Sequence, residues 1–269
     1  MRFKGWIHIY HISILPTLVS PPTYYRKMAT LEIQFANETL TLWRWPTSND
    51  LPSPFDIPHQ TAIVLKDKIN RPSETFPPSG MVVSAASLGP HNWNTDIAGH
   101  LGIPVVLKFA TGEENISLLQ REATFYENEL RRLQGSVVPR CYGLYQGKED
   151  RGDCGLNVST SCLVLEYCSG HVGGHAMTCS EFKQRAKLAI SCLHQAGVGH
   201  GKLYDKRNIL DLGYRQGIRI VDFAGAYLHE CLDAGPGYGM DHGYLGGACG
   251  ELESIFSSTS KDIESRGSP

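Results

Sequence analysis

The sequence has no long apolar run. Its longest, Trp6 to Val19, is broken by His8, His11, Ser13 and Pro16, whereas a spanning helix needs about 20 largely apolar residues. No transmembrane segment is expected. Nor does one sign of charge dominate, because 25 Lys and Arg stand against 27 Asp and Glu. Without a bulk basic field nothing holds a nucleic-acid backbone or an anionic membrane. The 8 cysteines form no C-x-x-C pair and fall in expected strands and helices, as reduced, half-buried thiols do. These absences describe a cytoplasmic protein that engages neither nucleic acid nor membrane. The secreted alternative rests on Arg2 and Lys4 ahead of the apolar run and on Ser20 as a cleavage residue. The two histidines inside the run oppose it, and Met28 offers a later start. The sequons at Asn37, Asn115 and Asn157 are read as accidental, since Asn115 opens an expected core-packed helix.

What is present can build a sizeable core, with 269 residues of which 41% are hydrophobic. Alternation from Leu31 to Trp45 predicts a hairpin around Ala36, Asn37 and Glu38. Seven prolines between 46 and 80 then predict a linker or loose cap, with one strand near Thr61–Leu65. Strands are expected at Met81–Leu88, weakly at Asp96–Gly102, and at Ile103–Phe109. Three-four spacing of Ile116, Leu119, Ala123, Tyr126, Leu130 and Leu133 predicts a helix from Glu113 to Gln134, stopped by Gly135. Further strands are expected at Val137–Tyr145 and Cys162–Tyr167, separated by a polar insert, Gln146–Thr160. A second helix follows from Ser180 to Gln195, then a hairpin of Asn208–Leu210 with Ile218–Val221.

Several points in this order carry chemistry. Lys108 closes Val105-Val106-Leu107-Lys108 on an expected central strand; Glu122 and Glu127 flank the helix stripe, and Glu122 is preferred as its partner. A lysine at a strand's solvent end and a solvated acidic helix face are the plainer readings. Cys162 to Cys168 reads as a buried strand that ends in Glu166-Tyr167-Cys168. His200-Gly201-Lys202-Leu203-Tyr204-Asp205-Lys206-Arg207-Asn208-Ile209-Leu210 and Ile218-Arg219-Ile220-Val221-Asp222-Phe223-Ala224-Gly225 follow in that sequence.

Together these segments resemble the motifs of the protein-kinase-like superfamily, over about residues 81 to 253, and in particular the divergent truncated kinase-like proteins of mushroom-forming fungi. The resemblance implies an α+β, two-lobed kinase-like fold, with a β-rich first lobe and a shortened, mostly helical second lobe. Its divisions are an N-terminal extension over 1–80, a first lobe with hinge over 81–168, a truncated second lobe over 169–256 and a tail over 257–269. It implies ATP and Mg²⁺ as cofactors. Lys108 then serves the α and β phosphates, Glu122 positions that lysine, the 166–168 backbone meets adenine, and Asn208 and Asp222 hold the metal.

The chain departs from the pattern at the base. Lys202 stands where the catalytic aspartate belongs, the spacing to Asn208 is one residue longer, and Asp205 is the displaced candidate base. No glycine-rich G-x-G-x-x-G lid precedes Lys108, and Gly247 to Leu252 only weakly resembles the end of an activation segment. The expectation is an ATP- and Mg²⁺-binding pseudokinase with weak or no phosphotransfer. The alternatives are an active protein Ser/Thr or small-molecule kinase and an interaction scaffold that binds protein partners without nucleotide. Separately, His229, Cys231, His242 and Cys249 form a zinc-like ligand set whose spacing matches no common finger; reduced thiols in a loop are the other reading.

Overall fold

Strict alternation in the first strands decides which residues face inward. In β1 (Thr30–Phe35) Leu31 and Ile33 are fully buried, and in β2 (Glu38–Arg44) Leu40 and Leu42 are their counterparts. The two pair antiparallel with Leu31 opposite Leu42 and Ile33 opposite Leu40. β1 also pairs in parallel with β3 (His59–Val64), which continues antiparallel to β4 (Met81–Pro90), and β4 to β5 (Ile103–Thr111). β5 pairs with β7 (Leu156–Glu166), β7 with β6 (Cys141–Arg151), and β6 returns to β2. The result is a closed barrel of seven strands in the order β1-β2-β6-β7-β5-β4-β3. These relations come from a computed structural model that describes residues 29–35, 38–45, 59–64, 81–90, 102–151, 156–172, 179–231 and 249–251. The apolar run 6–19, Met28, the weak strand's residues 96–101, His242 and the tail 257–269 lie outside them.

This arrangement corrects the expected two-lobed α+β kinase-like fold with a mostly helical second lobe. The described residues are dominated by the mixed barrel and carry two α-helices, making the fold β-rich. The physical reason lies in β1–β3, which come from the region read as an extension. They supply the strands that close the sheet on itself and remove its free edges. The barrel therefore joins strands from both sides of the expected boundary at residue 80.

β5 is covered on both faces, which explains its nearly continuous apolar sequence. Val105, Leu107 and Phe109 point into the barrel core, beside Leu31, Ile33, Leu42 and Leu88. Ala110 belongs to a second core, built with α1 (Glu113–Glu127), α2 (Cys179–Gln195) and the short sheet of β8 (His171–Val172), β10 (Ile209–Asp211) and β11 (Ile218–Ile220). Between α2 and β10 lies β9 (Val198–Gly199), which pairs with β12 (Tyr227–Leu228). No helix of the described residues is long and apolar enough to cross a membrane.

Two boundaries differ from the sequence expectation for identifiable reasons. α1 ends at Glu127, followed by a 3-10 turn at Arg131–Leu133, because the Gln134 side-chain amide donates to the Tyr126 carbonyl that a continuing helix would use. The same side chain accepts from the Cys141 N–H and so starts β6 there instead of at Val137. The polar insert 146–160 is largely strand, with Lys148 opposite Ser159 and Asp150 opposite Asn157. Its backbone is satisfied by the adjacent strand, so polarity alone does not make it a loop.

If β1 and β2 are integral to the barrel, Leu42→Ala costs about 2–5 kcal/mol, the range for a buried leucine truncation. Urea unfolding should then shift in one cooperative transition. A separate early phase confined to the variant would show that these strands unfold on their own.

Candidate functional site

β5, α1 and β11 converge on one lysine. Lys108 sits 7% exposed on β5, and its Nζ donates to Glu122 Oε2 at 2.6 Å and to Asp222 Oδ1 at 2.7 Å. Glu122 projects from the buried face of α1 and is fully buried, whereas Glu127 lies toward Arg44, 4.0 Å away. The sequence preference for Glu122 over Glu127 agrees with this geometry. Burial alone would push Lys108 down, but the two carboxylates outweigh it and hold the ammonium above its ordinary value. Burial raises Glu122 against the pull of Lys108. For Asp222 burial is outweighed by Lys108 and then Lys202, so its carboxyl lies below the usual value. At neutral pH the site therefore holds a charged lysine facing a charged aspartate.

Asp222 adopts φ 67° and ψ 68°, the only non-glycine residue among those described with positive φ. That conformation is strained for a residue with a Cβ and survives only where its surroundings fix it. Here they do. The next residue, Phe223, donates its N–H to Glu122 Oε1 at 3.2 Å and is fully buried, edge-on to Tyr126 at 5.5 Å and to His200 at 4.9 Å. Arg121 of α1 donates to the Ala226 carbonyl. The helix thus clamps the turn that presents Asp222.

The loop after β9 forms the floor. The His200 ring, neutral because burial lowers its pKa, lies 2.9 Å from the Val221 carbonyl through Nε2. Gly201 needs its φ of +78°, and a Cβ there would stand 2.7 Å from the Gly225 carbonyl oxygen, so this loop is pressed against the Asp222 turn. Asn208 is buried, its Nδ2 donating to the Lys202 carbonyl, and its own carbonyl accepts from the Val221 N–H. Asn208 and Asp222 are brought together by the pairing of β10 with β11.

Lys108, Glu122, Lys202 and Asp222 line a cleft of about 570 Å³, whose lining does not include His200, Gly201 or Asn208. Val83, Val106, Leu165, Leu210 and Val221 supply its apolar lining beside these charged groups. Glu166, Tyr167 and Cys168 border it as well. The N–H groups of Glu166 and Tyr167 are committed to Arg140 and Pro104 carbonyls. The Glu166 side chain accepts from the Arg140 N–H. Burial, then Glu166, pushes the Cys168 thiol up to about 12, so it stands in the wall as a neutral S–H.

Asp205 is placed elsewhere. It caps the 3-10 turn Lys206–Asn208 and forms a bidentate pair with Arg207, with contacts at 2.7 Å and 3.0 Å. It is not among the residues lining the cleft. Lys202, at the position expected of the base, puts its Nζ 3.8 Å from Asp222 Oδ2. A cation there can neutralise phosphate charge but cannot accept a proton while charged.

Two features escaped the sequence reading. Glu251 accepts from the N–H groups of His200 and Gly201 at 3.0 and 2.7 Å and meets His194 Nε2 at 2.9 Å. His194 joins His229, Cys231 and Cys249 in a cluster whose ligand atoms lie within 4.8 Å of one another. The sequence signal for the first was only the Gly-rich run before Glu251; of the second, His229, Cys231 and Cys249 were read from the sequence and His194 was not. A larger hollow of about 930 Å³ between α1's start and the β6–β7 hairpin is lined by Trp43, Ile116 and Val158 together with polar residues that include Glu113, Gln146, Lys148 and Thr160.

No protein-family model matches the chain, and no curated protein matches it.

Proposed function

We propose that this cleft binds ATP with Mg²⁺ and transfers its phosphoryl group weakly or not at all, so that the protein acts as a nucleotide-binding pseudokinase. The observation that carries the reading is the Lys108 ammonium, held between Glu122 and Asp222 in a cleft with apolar lining. A planar base fits among Val83, Val106 and Leu210. The Glu166 carbonyl, which also accepts from the Cys168 thiol at 3.7 Å, and the Cys168 N–H are the backbone groups this wall offers to its edge. Lys108 would meet the phosphates. Carboxylate and amide oxygens suit Mg²⁺, which takes one or two protein ligands and completes its shell with phosphate and water, so Asp222 and Asn208 fit it.

The kinship with kinases claimed here lies in these side chains and their convergence, not in the barrel that carries them. Weak transfer follows from the floor of the cleft. A positioned general base contributes roughly 10²–10⁴-fold, and the carboxylate nearest in sequence, Asp205, is spent on Arg207.

Calorimetric titration of the full chain with ATP, with and without Mg²⁺, tests this. Binding that strengthens with Mg²⁺, with phosphate release near background, is the expected result. Absence of heat at millimolar ATP under both conditions would overturn it in favour of a scaffold for protein partners. Rapid phosphate release that survives at full rate would instead restore an active kinase.

A further inference from the structure

The pairing of β12 with β9 sets Leu228 opposite Val198 and lets the His229 N–H donate to the Gly197 carbonyl at 2.8 Å. His229 thereby comes alongside the end of α2, where the buried His194 ring lies 4.8 Å from it, edge to face. Cys231 follows two residues on, and Cys249 closes the group. Cys249 Sγ stands 3.6 Å from His194 Nδ1 and 3.4 Å from His229 Nε2. With Zn–S near 2.3 Å and Zn–N near 2.0–2.1 Å, tetrahedral geometry puts sulfur and nitrogen ligands about 3.6 Å apart. The first observed separation has that value and the second is 3.4 Å.

The ring orientation of His194 points the same way: its Nε2 lies 2.9 Å from Glu251 Oε2 while its Nδ1 faces Cys249 Sγ. A carboxylate behind a histidine is the usual support of a metal-bound imidazole. Cys249 Sγ faces ring nitrogens from two histidines, Nδ1 of His194 and Nε2 of His229, as a thiolate sharing one cation with both imidazoles would.

We infer that His194, His229, Cys231 and Cys249 form a tetrahedral site for Zn²⁺, in which His194 takes the place that sequence spacing gave to His242. Two sulfurs and two nitrogens suit zinc over harder ions, and four protein ligands make the site structural, with no open position for catalysis. The ion ties Cys231 to Cys249 across the intervening chain. Through Glu251 it also braces the His200 and Gly201 backbone at the floor of the cleft. The inference does not depend on nucleotide binding.

Co²⁺ titration of the reduced, metal-free full chain reads it directly. The expected result is one tight equivalent with the intense visible bands of tetrahedral cobalt and a thiolate charge-transfer band, both bleached by one equivalent of Zn²⁺. Cys249→Ser should roughly halve the charge-transfer intensity, Cys231→Ser should do the same, and His242→Ala should leave the spectrum unchanged. A pale octahedral spectrum of the unaltered chain would overturn the site without recourse to any variant. So would an undiminished spectrum in folded Cys231→Ser, or loss of the spectrum in His242→Ala.

Discussion

ATP with Mg²⁺ should raise the melting temperature of the full chain, and the rise should vanish in the Lys108→Ala, Asp222→Ala double variant. A ligand present at about a hundred times its Kd adds roughly 2.7 kcal/mol to the folded state. For a chain of this size that is roughly 5–10 °C. The comparison must be of shifts, because the substitutions alter the baseline: Lys108 pairs with a fully buried carboxylate and Asp222 sits in a strained turn. Asp222→Ala alone should remove the Mg²⁺-dependent part while Lys108 still attracts phosphate. A Mg²⁺-dependent shift that persists in the double variant would place the nucleotide elsewhere and sink the assignment of this cleft.

The site was more legible in the sequence than the fold that carries it. Lys108, Glu122, Asn208 and Asp222 stand in short motifs whose order along the chain survives whatever lies between them; the structure joins Lys108 to Glu122 and Asp222, while the Asn208 carbonyl is bonded to Val221 beside Asp222. The barrel was hidden because closure depends on pairing between distant strands. Nothing local to Leu31 or Ile33 announces a parallel partner at Gln60 and Ala62, and the prolines around β3 argue for a linker when read alone. The end of α1 was misjudged because its apolar stripe continues through Leu130 and Leu133, both of which still pack in the core after the helix has broken. A side-chain amide, Gln134, decides that boundary, and periodicity does not register it. His194 was overlooked for a related reason: its partners lie 35 residues and more away in the chain, and only the β9–β12 pairing joins them.

Adding Glu122→Leu to Lys108→Met should make the protein more stable than Lys108→Met alone. Removing one member of a buried ion pair typically costs about 3–5 kcal/mol, because the other charge is left desolvated and unmatched. Lys108→Met does this to Glu122, which is fully buried with Lys108 as its counter-ion. Burial already lifts the glutamate's pKa, so part of the cost is relieved by taking up a proton. Glu122→Leu alone is milder for an asymmetric reason: Lys108 keeps its 2.7 Å contact with the half-exposed Asp222. It still strands the Phe223 N–H, which donates to Glu122 Oε1, at about 1–3 kcal/mol. In the double variant no buried charge remains and only that N–H is unmatched, so a coupling of roughly 2 kcal/mol or more in favour of the double variant is expected. Denaturant midpoints for the four proteins give the number. If the two costs simply add, the ion pair is not what holds α1 to the Asp222 turn, and the aromatic contacts of Phe223 with Tyr126 and His200 must carry that role. If they couple as expected, the same charges that would receive a nucleotide also lock the cleft's two walls together, and a folded, cleft-dead protein is obtained by replacing both.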